Sequence, residues 1–148
     1  MSAISAVQIA AYTAMTADTG AGGVHTLVGG RIYNDVPDGA AYPHVVFGKA
    51  REKSEHTFGG VSSGLGWEVM LPIFTMSRYQ GDAEALTIHS RIVALLNKWN
   101  AGPAVSGFSS VCWEYAPGGD VTGQVMVIDI DKIETRQVVA EFSVTVHQ

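Results

Sequence analysis

The chain has 148 residues, of which 47% are hydrophobic and 16% charged, a composition that excludes an intrinsically disordered protein. Its formal net charge is −5 and its nine basic residues are scattered. This argues against a protein that grips nucleic acid, because such binding needs clustered Lys and Arg side chains to neutralise phosphates. The length predicts one domain over residues 1–148. No signal-peptide pattern and no apolar run of about 20 residues is present, so we expect no membrane association.

The N-terminal third predicts one helix followed by turns and short strands. Residues 3–17 are rich in alanine and place apolar side chains at helical spacing. A further helical turn is predicted over Val24–Val28, and a strand over Arg31–Val36. The turn residues we identify here are Gly29, Gly30, Pro37, Gly39 and Pro43. Glycine adopts positive φ without steric cost, and proline presets φ in a turn or begins a strand where its missing N–H matters least.

The next segment predicts a hairpin that changes character along its length. We predict one long strand over His44–Phe58, apolar at first and charged from Lys49 onwards. Such a strand is expected to leave the core, so residues 49–67 are predicted to project as an arm with a flexible Gly-rich tip. A partner strand over Trp67–Met76 returns with alternating apolar residues. Pro72 within it favours an edge position or a bulge.

The C-terminal half predicts a second helix and three strands. Asp82 is the expected cap of this helix, and Asn100, Gly102 and Pro103 stop it. The strands are predicted over Phe108–Tyr115, Gln124–Ile133 and Val138–Val146, with a Pro117-Gly118-Gly119 turn after the first. Grouped strands with few helices indicate an α+β fold. We therefore predict a mainly antiparallel β-sheet with two main helices packed on one face and a projecting β-hairpin arm.

A search for chemistry gives no convincing site. No two of the five histidines have the spacing of three to five residues seen in metal sites, and Cys112 is the only cysteine. Cys112 is expected to be a buried small hydrophobic residue. Asp129 and Asp131 are expected on one strand face, and His89 beside the apolar stripe of the second helix. We predict no catalytic, cofactor-binding or metal site. The alternative is a small hydrolase or ligand-binding domain that uses Asp129, Asp131 or His89.

The order of turn motifs resembles a known family. The strongest part is VGGRIYNDVPDGAAYPHVVFG over residues 28–48, preceded by a helix that ends near Asp18. A second match is the Trp67-Glu68-Val69 strand, which continues through Phe74-Thr75-Met76-Ser77 to a helix beginning at Gly81-Asp82. In this order the motifs resemble the tail-completion, or tail-terminator, proteins that join heads to tails in long-tailed phages.

The resemblance implies a structural virion protein instead of an enzyme, with no cofactor. It implies a ring, of six subunits in that family, which caps the tail tube, ends tube polymerisation and provides the docking surface for the head connector. The implied partners are further copies of the chain, the major tail tube protein and the head–tail connector or stopper protein, with DNA only passing through the lumen. The implied location is the tail or neck of the virion, assembled in the host bacterial cytoplasm. Another neck or minor tail component is the alternative.

The predicted arm is the expected place of contact with a neighbouring subunit or with the tube. An arm of this kind can add a strand to a partner's sheet, and a Gly-rich tip can become ordered on docking. The residues that we expect at this interface are Arg51, Lys53, Glu55, Phe58, Leu65 and Trp67.

Overall fold

Two long antiparallel strands form the centre of the sheet. The computed structural model describes residues 2–55, 66–115 and 123–148. In it β4 (Gly66–Ser77) pairs along its whole length with β7 (Ile133–His147), from Gly66 opposite His147 to Ser77 opposite Arg136. Side chains alternate between the two faces of a strand, so the apolar residues of the two strands share one face. The buried residues of that face are Val69, Leu71, Ile73, Thr75, Val138, Ala140, Phe142, Val144 and Val146.

Two short strands flank each of the long strands. On the free side of β4 lie β2 (His44–Phe47) and β3 (Arg51–Glu55), which pair with different stretches of it. On the free side of β7 lie β5 (Ser110–Tyr115) and β6 (Val125–Ile130). The two-residue strand β1 (Ile32–Tyr33) adds to β2 in the parallel direction, so the sheet, which has seven strands within the described residues, is mixed.

In the part of the chain that the structure describes, three helices cover the apolar face of the sheet. They are α1 (Ala3–Ala17), the short α2 (Val24–Val28) and α3 (Ala83–Leu96). Their buried side chains form one core with Trp113 of β5 and the inward residues of β4 and β7. The predicted fold class is therefore confirmed: the chain is α+β, its sheet is mainly antiparallel, and its two long helices pack on one face.

The strand predicted over His44–Phe58 is interrupted at residues 48–50. There the backbone N–H of Gly48 donates to the carbonyl oxygen of Pro72 (2.8 Å), and a side chain at Gly48 would collide with Pro72 and Phe74. Pro72 itself lies in a central strand, opposite Glu141, so of the two predicted settings the edge position is wrong. The other, a bulge, agrees with the neighbouring strand, where three residues (48–50) stand opposite two (71 and 72). The missing N–H of Pro72 is accommodated because the neighbouring strand is broken at this point, between β2 and β3.

Other predicted boundaries also shift. The strand predicted over Arg31–Val36 is reduced to Ile32–Tyr33. The last two strands meet at a two-residue turn, Asp131-Lys132, whose φ angles are 53° and 63°. Residues 133–137 therefore belong to β7, and Asp131 does not share a strand face with Asp129. Without the Asn-Gly or Asp-Gly pair that marks such turns, the sequence gives no signal for it. The predicted Pro117-Gly118-Gly119 turn lies outside the described residues.

The carboxylate of Asp18 connects all three helices. Its Oδ2 accepts a hydrogen bond from the backbone N–H of Val24, at the start of α2 (2.8 Å). Arg91 of α3 donates to both carboxylate oxygens, from Nε to Oδ2 (2.8 Å) and from Nη2 to Oδ1 (2.7 Å). The Asp18 side chain is only 11% exposed. These bonds from Arg91, with the bond from Val24, hold the pKa of Asp18 below its usual value.

We expect Asp18→Asn to lower the free energy of unfolding by about 2 kcal/mol at neutral pH, because charged hydrogen bonds are worth about 1.5–3 kcal/mol. Since the folded pKa is lowered, the wild-type advantage is complete above the ordinary value of 3.8 and is lost as pH falls through the folded value. Urea denaturation between pH 7 and pH 2 measures this, with the exposed Asp35→Asn as control. A wild-type advantage that does not change with pH would contradict the assignment.

We expect Gly30→Val to destabilise the fold, because Gly30 has a φ of 76° and a side chain there would also contact the His25 ring. The left-handed conformation costs an ordinary residue about 1–2 kcal/mol, and a β-branched residue more. Gly20→Val is the matched control, since Gly20 has open space around it. Equal thermal stabilities of the two variants would show that the backbone at Gly30 is not constrained.

Candidate assembly surface

The basic residues of β3 lie on the sheet face that the helices leave uncovered. Arg51 is opposite Met70 and Lys53 is opposite Glu68, and these β4 residues alternate with the buried Val69. The Arg51 side chain is 77% exposed, and its Nη2 lies 3.7 Å from Glu141 Oε1. Ion pairs this exposed contribute about 0–1 kcal/mol, so both basic groups remain available to a partner.

The strand β3 is an integral part of the sheet. Its backbone pairs with β4 from Arg51 to Glu55, and β4 pairs with β7 over the same stretch. On the helix-covered face, Glu52 Oε2 accepts a hydrogen bond from the backbone N–H of Ile4 in the first turn of α1 (3.3 Å), where the helix dipole favours a carboxylate. Up to residue 55 the predicted arm therefore does not leave the sheet. The contact of Glu52 joins residues 48 positions apart and has no local sequence signal.

The other predicted interface residues are in different settings. Trp67 lies on the helix-covered face, partly buried, with its ring at 82° to that of Phe108 and the two centroids 5.7 Å apart. Glu55 is placed by its backbone pairing with Gly66. Phe58, Leu65 and the predicted Gly-rich tip lie outside the described residues. The structure thus brings Arg51 and Lys53 together on one surface and places Trp67 on the opposite face of the sheet.

The predicted turn residues shape the backbone between α2 and β2. Gly29 ends α2 with a φ of 59°, and Gly30 and Gly39 have φ of 76° and 72°. The carbonyl oxygen of Pro37 accepts a hydrogen bond from the N–H of Ala40 (3.2 Å). Pro43 follows a cis peptide bond and directly precedes β2. None of these contacts creates a ligand site. They place the segment before β2 against the sheet.

Two arginines hold this segment in place. The Nε of Arg31 donates to the carbonyl oxygen of Pro43 (2.9 Å). The guanidinium of Arg78 lies 4.1 Å from the centre of the Tyr42 ring, a cation–π contact, and its Nε donates to Thr135 Oγ1 (3.2 Å). Arg78 thereby connects the loop before β2 to the β6–β7 hairpin. The sequence analysis missed both arginines, whose partners depend on the fold.

The residues of the alternative catalytic site are far apart. His89 is buried, with Nε2 3.2 Å from the hydroxyl of Tyr115, and burial lowers its pKa. Tyr115 is opposite Phe142, whereas Asp129 is opposite Glu134, eight residues away along β7. That separation is roughly 25 Å at the rise of a β-strand. His89 and Asp129 therefore do not share a site.

The described ranges contain no evident metal site. No three His, Cys, Asp or Glu side chains are grouped there as metal ligands. An open groove of about 580 Å³ runs between α1 and residues 103–106, and its lining, mostly alanine, contains no ionisable side chain. Cys112 is half-buried instead of buried, and burial raises the pKa of its thiol. No helix in the described residues is long and apolar enough to cross a membrane.

The described residues thus define an α+β sheet protein whose accessible features are strand edges, without a convergent catalytic site. Residues 12–131 match the family of the tail completion protein gp17, and the chain belongs to this family of structural virion proteins. The resemblance inferred from residues 28–48 is confirmed, and the protein is a structural component of the tail region of a phage-like virion.

A solved structure supports the fold independently. A chain in the virion of a native gene transfer agent particle matches with a TM-score of 0.70 and 19% sequence identity. The match covers 98% of this chain and 97% of that chain. At 19% sequence identity, this structural similarity establishes that the two chains share a fold. Among curated proteins, no sequence matches this chain.

We expect Trp67→Ala to lower the free energy of unfolding by about 2 kcal/mol, less than the roughly 3–5 kcal/mol of a fully buried tryptophan. Trp67 is partly buried against Phe108 and the core. Lys53→Ala, at an exposed position in the preceding strand β3, is expected to stay within about 0.5 kcal/mol of wild type. Chemical denaturation of both variants tests whether Trp67 supports the fold. An unchanged stability for Trp67→Ala would identify it as a surface residue.

Proposed function

We propose that this protein forms a closed ring of identical subunits that caps the tail tube. The ring ends tube polymerisation and presents the surface on which the head–tail connector or stopper protein docks. The observation that carries the proposal is a sheet in which, within the described residues, β3 pairs only with β4 and β6 only with β7, on opposite sides, in a member of a tail completion family. A head-to-tail contact between unlike surfaces generates a ring when its rotation closes.

Six subunits is the number that the resemblance implies. The charge of the chain agrees with DNA passing through the lumen of the ring without being bound by it. The net charge of −5 and the scattered basic residues provide no clustered phosphate-binding surface. A charged fraction of 16%, against about 25% in typical domains, also suits a protein whose surface is largely covered by partners.

The segment 49–67 is the proposed place of contact with a neighbouring subunit or with the tube protein. Its described part presents Arg51 and Lys53 on the uncovered face of the sheet, on a strand that pairs only with β4 among the described residues. An exposed strand edge can bind a partner by strand addition, through main-chain hydrogen bonds. We propose an assembly role instead of a catalytic one, since His89 and Asp129, candidates of the alternative function, lie at positions separated along β7.

The direct test is to measure the mass of the purified protein and to image it alone and with tail tubes. We expect a hexameric ring by native mass spectrometry and negative-stain microscopy. Added to polymerising tube protein, it should cap tube ends and stop their elongation. A protein that stays monomeric in the presence of tubes would contradict the ring. A ring that leaves elongation unchanged would contradict the capping role.

We expect deletion of residues 59–65 to abolish ring formation or tail joining while the fold persists, because the deletion leaves the paired strands β3 and β4 in place. Circular dichroism and thermal unfolding verify the fold, and mass in solution measures the ring. The matched control replaces the same seven residues with Gly and Ser. Because it keeps the length of the segment but removes its larger side chains, it shows whether assembly depends on the length or on the side-chain contacts. Unchanged ring formation and tail joining in the deletion variant would exclude a role for this segment.

A further inference from the structure

Residues 34–43, here called the strap, cross the sheet face that the helices leave uncovered. They connect β1 to β2, which are parallel neighbours, and a connection between parallel strands has to cross one face of the sheet. His44 is opposite Met76 and next to the inward residue Val45, so the His44 side chain points to the uncovered face. The ring of Tyr42, in the strap, has its centre 4.6 Å from that of the His44 ring. The strap therefore passes over the uncovered face at His44.

Two polar residues are buried beneath the strap, on the face without helices. His44 is 3% exposed and Thr135 is fully buried. The rings of Tyr33 and Tyr42 both contact His44, with centres 5.8 Å and 4.6 Å from that of the imidazole. The Arg78 guanidinium lies over the Tyr42 ring and donates to Thr135 Oγ1. The burial of His44 and Thr135 therefore depends on the strap and on Arg78.

Three basic side chains hold the end of the strap on the sheet. Arg31 Nε donates to the carbonyl oxygen of Pro43 (2.9 Å), and His44 Nδ1 donates to that of Ala41 (3.2 Å). The third is Arg78, whose guanidinium makes a cation–π contact with the ring of the tyrosine between them. The closed strap therefore brings two arginines and a histidine into one small cluster.

The charged side chains that act on His44 are both positive. The ionisable groups around its ring come from β1, the strap and the residues next to β1 and β4, and they are Tyr33, Tyr42, Arg31 and Arg78. On this face β4 and β7 add the uncharged Met76 and Gln137. The two carboxylates of the strap, Asp35 and Asp38, are exposed. In the described part of the chain, no carboxylate forms an ion pair with Arg31 or Arg78.

The closed strap opposes protonation of His44. A carbonyl oxygen only accepts, so Nδ1 carries the proton of the neutral ring and an added proton goes to Nε2, to which no described residue offers an acceptor. Burial lowers the pKa of His44 below its usual value of 6.5, the hydrogen bond to Ala41 opposes this, and the charges of Arg31 and Arg78 lower the pKa further. Once the strap opens, water can hydrate the imidazolium and the repulsion is relieved.

We propose that the strap is a pH-sensitive element, closed over the sheet while His44 is neutral and opened when His44 takes up a proton at Nε2. Opening separates Tyr42 from Arg78 and exposes the sheet face beneath. Because the pKa is lowered in the closed state, the preference for the closed strap is complete above 6.5. It decreases as pH falls below that value and is lost below the pKa of the closed state. Opening needs no second subunit, so it is independent of the proposed ring.

The test follows Tyr42 by fluorine NMR in the full chain labelled with 3-fluorotyrosine. The Tyr42 ring loses its contacts with Arg78 and His44 when the strap opens, so its signal reports the two states, and Tyr42→Phe identifies that signal. We expect the ratio of open to closed strap to rise about tenfold or more between pH 7 and pH 5. Circular dichroism should stay unchanged over this range, because the helices and the long strands remain folded.

Two histidine variants identify the group that responds. His44→Asn keeps an N–H donor near the position of Nδ1 but takes up no proton, so its Tyr42 signal should not change between pH 7 and pH 5. His89→Gln is the matched control, since His89 is also buried with a lowered pKa, and should respond to acid as wild type does. A wild-type signal that does not change with pH, or a His44→Asn variant that responds as wild type does, would overturn the proposal. So would loss of the circular dichroism signal together with the Tyr42 change, because the whole fold would then be responding.

A direct measurement keeps the test valid if His44→Asn does not fold. Carbon NMR of the wild-type chain labelled at histidine follows the protonation of His44, whose midpoint should coincide with that of the Tyr42 change. Different midpoints would show that another group opens the strap. Arg78→Gln removes one of the two positive charges and should raise the pKa of His44 relative to Arg78→Lys, which keeps the charge. The same His44 titration in these two variants would overturn the part assigned to charge repulsion from Arg78.

Discussion

The pairing of β4 with β7 is the interaction on which the rest of this protein depends. These two strands are the longest in the sheet, and every other strand except β1 is attached directly to one of them. Helices α1 and α3 pack on the apolar face that these two strands share. The pairing also explains how Pro72 is tolerated in a central strand. The ladder to β7 continues past Pro72, and the break occurs in the short neighbours, where Gly48 donates to its carbonyl oxygen.

Because the helices cover only one face, the sheet offers two kinds of surface to partners. The uncovered face is polar near β3, where Ser143 Oγ donates to Glu68 Oε1 (2.9 Å) and Arg51 lies beside Glu141. Within the described residues, β3 pairs only with β4 and β6 only with β7, so the outer edge of each offers main-chain groups. Unprotected strand edges favour pairing with other chains, which suits a subunit of an assembly better than a monomer.

Polar contacts at both ends of α1 hold the helices to one another and to the sheet. Asp18 connects the end of α1 to α2 and α3, and Glu52 connects the start of α1 to β3. The second contact matters for assembly because it fixes the strand that carries Arg51 and Lys53 relative to the core. A preorganised edge loses less conformational entropy when it binds than a mobile one does. The contact proposed for the β3 segment therefore depends on the hydrogen bond between Glu52 and α1, which also holds the helices on the sheet.

Local physics determined a large part of this protein from its sequence alone. Helical periodicity predicted α1 and α3, alternation predicted the inward face of β4 and β7, and the glycines and prolines of residues 28–48 pointed to the family. Only the tertiary structure decided the rest. The break at residues 48–50 depends on Pro72 and Phe74 across the sheet, and the turn at Asp131-Lys132 lacks glycine. The contacts of Glu52, Arg78 and Arg91 join residues far apart in the chain, so no local pattern encodes them. Which strand edges remain open is likewise a property of the whole sheet, because an edge is free only when no other segment folds over it.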